Sequence, residues 1–110
     1  MIALGAAQAE AHARLIRAAP RVGATVQVSP NELRLTFSER IQPSLSSVSV
    51  SGPGGEPLAL GRLVLDGKNH RVVVVPIPST LRQGPYRVKW SMTSEDAHET
   101  DGDFIFRFAP

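Results

Sequence analysis

The stretch SEDAHETDGDF, from Ser94 to Phe104, contains the pair of side chains best suited to chemistry in this sequence. Asp96 and His98 are two positions apart, so an extended backbone would point both side chains the same way. A carboxylate beside an imidazole is compatible with a metal site, with a catalytic acid–base pair, or with a solvated hairpin loop. These three interpretations stay open until the other residues that can reach the pair are considered.

One such residue is His12, which follows an unusual N-terminal segment. The first eleven residues, MIALGAAQAEA, are apolar and Ala-rich, and small-x-small cleavage patterns end at Ala9 and Ala11. This composition is typical of the end of a secretory signal peptide, and the alternative is a disordered native N-terminus. We therefore expect residues 1–11 to be a residual signal peptide or disordered leader, and residues 12–110 to form the folded domain of an exported protein.

Cleavage after Ala11 would give His12 two nitrogen donors, its α-amine and its imidazole. With His98 and Asp96, the set becomes three nitrogens and one carboxylate oxygen, which suits tetragonal Cu(II). Zinc would accept these ligands but prefers a tetrahedron. If residues 1–11 are retained, the amine becomes an amide and one ligand is lost. Cleavage after Ala9 would instead place a histidine third in the chain, which gives a different Cu(II) chelate.

Length and composition limit the function classes. A chain of 110 residues is sufficient for one domain. It contains no cysteine, which excludes a disulfide scaffold, a thiolate metal site and a cysteine nucleophile. Its arginines are scattered and its aromatic residues few, so nucleic-acid binding is not indicated. No apolar run approaches the ~20 residues of a membrane span.

The elements that must position the candidate ligands are short strands separated by Gly- and Pro-containing turns. About seven such strands predict an all-β Greek-key sandwich or barrel. The strand segments are ELRLTF, SVSVS, LALGRLVL, RVVVV, PYRVKWSM and GDFIFRF, and His70 falls in a turn, DGKNH. The RVVVV run suits a strand buried on both faces. The expected core is Leu33, Leu35, Phe37, Val48, Val50, Val72, Val74, Tyr86, Val88, Trp90, Phe104 and Phe106.

Several motifs together resemble the CopC family of periplasmic copper-binding proteins, over nearly the whole chain from His12. They are HA at His12, P-x-x-G-x-x-V from Pro20, LRLTFSE from Leu33 to Glu39, and a long segment from Leu81 to Phe108. That segment, LRQGPYRVKWSMTSEDAHETDGDFIFRF, follows the pattern L-x-x-G-x-Y-x-V-x-W-x-x-x-S-x-D-x-H-x-x-x-G-x-F-x-F.

The resemblance implies a cupredoxin-like (Ig-like) β-domain that carries or stores Cu(II) in the periplasm, in copper homeostasis and resistance, and is not an enzyme. The family's ligands correspond to the amine and imidazole of His12, to Asp96 and to His98. Glu39 matches an acidic residue near that site, where it would orient a ligand by hydrogen bonding; otherwise it is a surface carboxylate. The expected protein is a monomer without membrane insertion, and an inner-membrane copper protein of the CopD type is a plausible partner.

Some family members also bind Cu(I) in a loop rich in methionine. The corresponding stretch here, IQPSLSSVSVSGPGG, contains neither Met nor His, and the chain has only Met1 and Met92. Because Cu(I) prefers soft sulfur ligands, the sequence predicts one Cu(II) site and no Cu(I) site.

Two alternative functions fit part of this pattern. Copper monooxygenases that cut polysaccharides also use an N-terminal His and a second His, but they need an open position for oxygen and an exposed aromatic surface. Here Asp96 would fill the open position, and Tyr86 and Trp90 are expected in the core. An Ig-like structural or binding module without metal would leave SEDAHETDGDF as a solvated loop.

Overall fold

A computed structural model describes residues 12–110, in which the strands form two four-stranded sheets. The first sheet has the order β1-β3-β6-β5 and the second has the order β2-β8-β7-β4. The prediction of an all-β sandwich is therefore confirmed, whereas the leader predicted for residues 1–11 lies outside the described residues. The elements are β1 (Leu15–Ala19), β2 (Thr25–Val26), β3 (Glu32–Phe37), a 3-10 turn (Pro43–Leu45), β4 (Ser47–Ser51), β5 (Val64–Asp66), β6 (Asn69–Pro76), β7 (Gly84–Thr93) and β8 (Glu99–Phe108).

The core lies between the two sheets and is built by alternating strands. In β3, Leu33, Leu35 and Phe37 are fully buried, and the residues between them are half-buried. Phe37 meets Trp90 of β7 edge-on, with ring centroids 5.1 Å apart. Each such side chain contributes roughly 1.5–3 kcal/mol by leaving water, so these contacts hold the sheets that carry the candidate site.

The inward face of β6 differs from the prediction. Val73 and Val75 are 0% and 2% exposed and face the core, whereas Val74 is only half-buried. Val74 pairs with Arg34 of β3, whose side chain is directed toward solvent, and it therefore lies on the outer face. An unbroken run of valines has no polar residue to mark which positions face outward, and this is why the assignment of Val74 to the core was wrong. Val48 is also half-buried rather than buried.

The set of strands also differs from the prediction of about seven. The described residues contain eight strands, of which β1 and β2 were not anticipated, and LALGRLVL contributes only two residues, Val64 and Leu65, to the three-residue strand β5. β1 lies at the edge of its sheet and exposes Ile16, while β2 has only two residues, so neither shows the alternation of a half-buried strand.

Gly102 lies within β8 opposite Trp90. The Trp90 indole packs directly against the backbone of Gly102. A Cβ on residue 102 would be only 2.5 Å from Cζ2 of Trp90. This close contact shapes the β7–β8 hairpin, whose far end carries Asp96 and His98.

Candidate metal centre

Asp96 and His98 are positioned by the loop that joins β7 to β8. Glu95, Asp96 and Ala97 form a three-residue loop, closed by a hydrogen bond from the Ser94 N–H to the His98 carbonyl (2.9 Å). A second bond, from the Ala97 N–H to the Ser94 carbonyl (2.9 Å), makes the turn. Ala97 has a φ of 71°, which is the left-handed conformation that completes hairpin loops of this length.

This loop places the Asp96 carboxylate beside the His98 imidazole. Asp96 Oδ1 and His98 Nδ1 are 3.3 Å apart, and both side chains are about half exposed to solvent. The prediction that the two side chains lie together is correct, although the reason for it is different. The backbone at Asp96 is in a turn, so the turn, and not the alternation of an extended strand, brings the groups together.

The hydrogen bonds of the Asp96 carboxylate favour its ionised form. The Ser94 hydroxyl donates to Asp96 Oδ1, and this bond, followed by the contact with His98, holds the pKa of the Asp96 carboxyl below its usual value. An ionised carboxylate is the form that binds a metal ion.

His12 lies near Asp96 and His98 because hydrogen bonds join the residues that follow it to both sheets. The Thr100 hydroxyl of β8 donates to the Ala13 carbonyl (2.8 Å), and Ala13 is buried. On the other side, the Arg14 N–H donates to the Ser38 hydroxyl (2.9 Å), and the Ser38 N–H donates to the Arg14 carbonyl (2.9 Å). The His12 ring consequently lies with its centroid 4.9 Å from that of His98, at an interplanar angle of 51°.

The three side chains offer nitrogen and oxygen donors, but they are gathered more loosely than in a metal complex. Among residues 12–110, no three His, Asp or Glu side chains stand at metal-binding spacing. With metal–ligand bonds of about 2.0 Å, two adjacent donors at a right angle are about 2.8 Å apart. The observed 3.3 Å between His98 Nδ1 and Asp96 Oδ1 is close to this spacing. The His12 ring is exposed to solvent.

Glu39 directly follows Ser38, and its side chain is half-buried. Within the described chain, no hydrogen bond or ion pair joins its carboxylate to His12, Asp96 or His98. Its role in orienting a ligand stays a prediction.

Two features near the site were not identified from the sequence. Ser94 hydrogen-bonds both Asp96 and His98, and it stood in the matched motif without an assigned role. Arg40 joins Glu95 of the loop (3.2 Å) to His70 Nδ1 (2.9 Å). His70 is exposed as predicted, but it lies in β6 rather than in the turn, and Arg40 is its partner.

A family model described as the CopC domain matches residues 15–109. The chain belongs to the CopC family. This confirms the resemblance that the motifs from Pro20 to Phe108 indicated.

Several curated relatives align with most of this CopC-family chain. Copper resistance protein C of Pseudomonas syringae pv. tomato is 31% identical over 109 residues, which span 94% of this chain and 86% of the relative. Copper resistance protein C of Xanthomonas campestris pv. juglandis is 31% identical over 108 residues, spanning 94% and 84%. Protein YobA of Escherichia coli K12 is 30% identical over 96 residues, spanning 87% and 77%.

Solved structures of the family share the fold. CopC from Methylosinus trichosporium OB3b superposes with a TM-score of 0.83 at 28% identity, covering 90% of this chain and 95% of that one. PcoC from Escherichia coli, a methionine-rich copper resistance protein, superposes with a TM-score of 0.80 at 25% identity, covering 90% and 100%. In residues 12–110 of the present chain, no helix has the length and apolar character required to cross a membrane.

Proposed function

We propose that this CopC-family protein binds Cu(II) in the periplasm and carries or stores it in copper homeostasis and resistance. The observation that carries the proposal is the meeting of His12 and His98, with ring centroids 4.9 Å apart, beside the Asp96 carboxylate. Two relatives are named as copper resistance proteins, which supports copper as the metal.

The proposed ligands are the amine and imidazole of His12, the Asp96 carboxylate and the His98 imidazole. Cleavage after Ala11 would provide the amine, with residues 1–11 acting as the signal peptide. Nitrogen and oxygen donors in this number suit tetragonal Cu(II). The mechanism is coordination: neutral imidazoles and an ionised carboxylate hold the ion, and its release returns the protein unchanged.

We assign no Cu(I) site to the domain. Cu(I) prefers soft sulfur ligands, and Met92 is fully buried on β7. The stretch from Ile41 to Gly55 contains neither Met nor His. PcoC, by contrast, is described as methionine-rich.

The alternative of a copper monooxygenase receives no support from the aromatic residues. Tyr86 and Trp90 are 3% and 9% exposed, so they do not offer the open aromatic surface that a polysaccharide substrate requires. Asp96 would occupy the coordination position that oxygen needs. We therefore favour carriage or storage of copper over catalysis. In this proposal the protein is a monomer, and its plausible partner is an inner-membrane copper protein of the CopD type.

The test uses protein that begins at His12, with the N-terminus verified by mass, titrated with Cu(II) against a competing chelator. We expect one ion per chain, and a loss of affinity of more than about 100-fold in both H98A and D96A, because removing a ligand should cost more than removing an outer partner. H70A is the matched control, since His70 is exposed but pairs with Arg40 outside the site. Absence of stoichiometric binding, or equal losses in H70A and H98A, would refute the proposal.

A further inference from the structure

A single buried hydroxyl connects the two hairpin residues of the proposed site. Ser94 is 1% exposed, while Asp96 and His98 are about half exposed. Its Oγ donates to Asp96 Oδ1 and accepts a hydrogen bond from the His98 N–H (3.3 Å). A hydroxyl has one proton to donate. The Asp96 carboxylate is closer to the hydroxyl than the His98 carbonyl is (3.3 Å), and it is charged. The Ser94 hydroxyl therefore donates its hydrogen bond to the carboxylate.

Ser94 is in turn fixed by the neighbouring chain. It forms an isolated bridge with Ile41, which is buried, and the Gln42 side-chain amide donates to the Ser94 carbonyl (3.0 Å). The Gln42 N–H also donates to the Thr93 carbonyl (2.8 Å). The hydroxyl thus has a fixed position in the fold, and its hydrogen bonds hold the Asp96 carboxylate and the His98 backbone in place.

We propose that Ser94 is a positioning residue, which holds the Asp96 carboxylate and the His98 backbone together as one preformed unit of the metal site. This inference rests on the proposed function and deepens it. Removing the hydroxyl would free the Asp96 side chain to rotate on an exposed loop, and metal binding would then have to order it. Outer partners of this kind orient ligands and affect metal affinity without touching the metal.

The geometry also leaves one carboxylate oxygen available. Oδ1 accepts from Ser94 and lies 3.3 Å from His98 Nδ1. Within the described part of the chain, no other side chain hydrogen-bonds the carboxylate. Oδ2 accepts no side-chain hydrogen bond there, so it is open to a ligand interaction while Oδ1 stays bonded to Ser94.

A serine close to Ser94 provides a matched control. The Ser46 hydroxyl donates to the Gln42 carbonyl (2.7 Å) and accepts from the Thr93 N–H (3.0 Å). It therefore supports the same end of the hairpin without contacting Asp96 or His98. A purely structural role for Ser94 predicts equal behaviour of S94A and S46A.

The experiment compares S94A, S94T and S46A in protein that begins at His12. In copper-free protein, NMR should show a change in the carboxyl carbon shift of Asp96 in S94A only. With copper, S94A should bind Cu(II) about 10–100-fold more weakly, with an altered EPR spectrum. S46A should keep the wild-type affinity and spectrum, and S94T, which retains a hydroxyl, should recover most of both.

Several results would overturn the inference. One is an S94A protein whose Asp96 carboxyl shift and Cu(II) affinity equal those of the wild type. Another is an S46A protein that loses as much Cu(II) affinity as S94A does. If S94A does not fold, the unmodified protein still decides: its Ser94 hydroxyl proton should be protected from exchange and close to Asp96, and a rapidly exchanging proton refutes the inference. If the wild type binds no Cu(II) while the Asp96 shift changes in S94A alone, the proposed function fails and the positioning role stands.

Discussion

The imidazole of His12 lies 4.9 Å, centroid to centroid, from the imidazole of His98, although the two residues stand near opposite ends of the chain. Ala13 and Arg14 secure this contact, because Thr100 binds the first and Ser38 binds the second. The candidate site is therefore shared between the start of the domain and its last hairpin, and its strength depends on the chemistry of both.

The first prediction concerns the His12 nitrogen. Protein beginning at His12 should bind Cu(II) more tightly, by about 10-fold or more, than protein beginning at Ala11, because in the second form the free amine belongs to Ala11 and the His12 nitrogen is an amide. Chelator competition measures the difference. The melting temperatures of the two copper-free proteins are measured alongside, so that a difference in copper affinity is not mistaken for a difference in folding. Equal copper affinities would remove the amine from the ligand set.

Part of this arrangement could be predicted from sequence, for identifiable reasons. ELRLTF alternates apolar and polar residues, so the burial of Leu33 and Leu35 was predictable, whereas the valine run of β6 contains no such marker and Val74 was misplaced. Asp96 and His98 are near in sequence, and their proximity was expected. The contact of His12 with His98 has no local signal, because it depends on how β3 and β8 hold the N-terminal segment; the donor types of His12, Asp96 and His98 suggested it, and the family resemblance supported it. The role of Ser94 depends on burial and hydrogen bonding, which spacing alone does not reveal.

The second prediction concerns the pH dependence of copper binding. An imidazole must lose its proton to bind a metal, and free imidazole titrates near ~6.5. Cu(II) affinity should therefore fall as pH decreases through and below that region. The Asp96 carboxyl has a pKa below its usual value, owing first to Ser94 and next to His98, so it stays charged across this range. Cu(II) affinity measured from pH 7.5 to 5 should decline, because protons compete with the metal for the imidazole ligands. A constant affinity would contradict imidazole ligation.

The third prediction concerns Asp66 and acid stability. The Lys68 N–H donates to Asp66 Oδ1 (2.8 Å), and Arg34 donates to Oδ2 (2.5 Å). The Lys68 bond, followed by the Arg34 bond, lowers the pKa of the Asp66 carboxyl. A folded-state pKa below the unfolded value stabilises the fold above the ordinary carboxyl pKa of ~3.9, and this contribution is lost as pH falls through the folded value.

Urea unfolding of wild type and D66N at several pH values measures this contribution. D66N should be the less stable protein at pH 7, and the difference should shrink as pH falls below ~4. D101N is the matched control, because Asp101 is exposed and forms no ion pair within residues 12–110. A difference between wild type and D66N that does not change with pH would show that ionisation of Asp66 does not contribute.

The fourth prediction concerns the close contact between Gly102 and Trp90. A Cβ on Gly102 would lie 2.5 Å from Cζ2 and 2.9 Å from Cε2 of the indole. The indole has little room to move, because it also packs edge-on against Phe37 in the core. G102A should therefore destabilise the domain by about 1–3 kcal/mol, as overpacking does. It should also change the fluorescence of Trp90, which is the only tryptophan in the chain.

G67A is the control for this substitution. Gly67 lies in the β5–β6 turn, and a Cβ there would meet nothing within 4 Å. The unfolding free energy and the Trp90 fluorescence of G67A should both remain close to those of the wild type. If G102A were as stable as G67A and had unchanged fluorescence, the indole would not be packed against Gly102. The β7–β8 hairpin would then accept a side chain at this position, and the shape of the hairpin beneath Asp96 and His98 would not depend on the glycine.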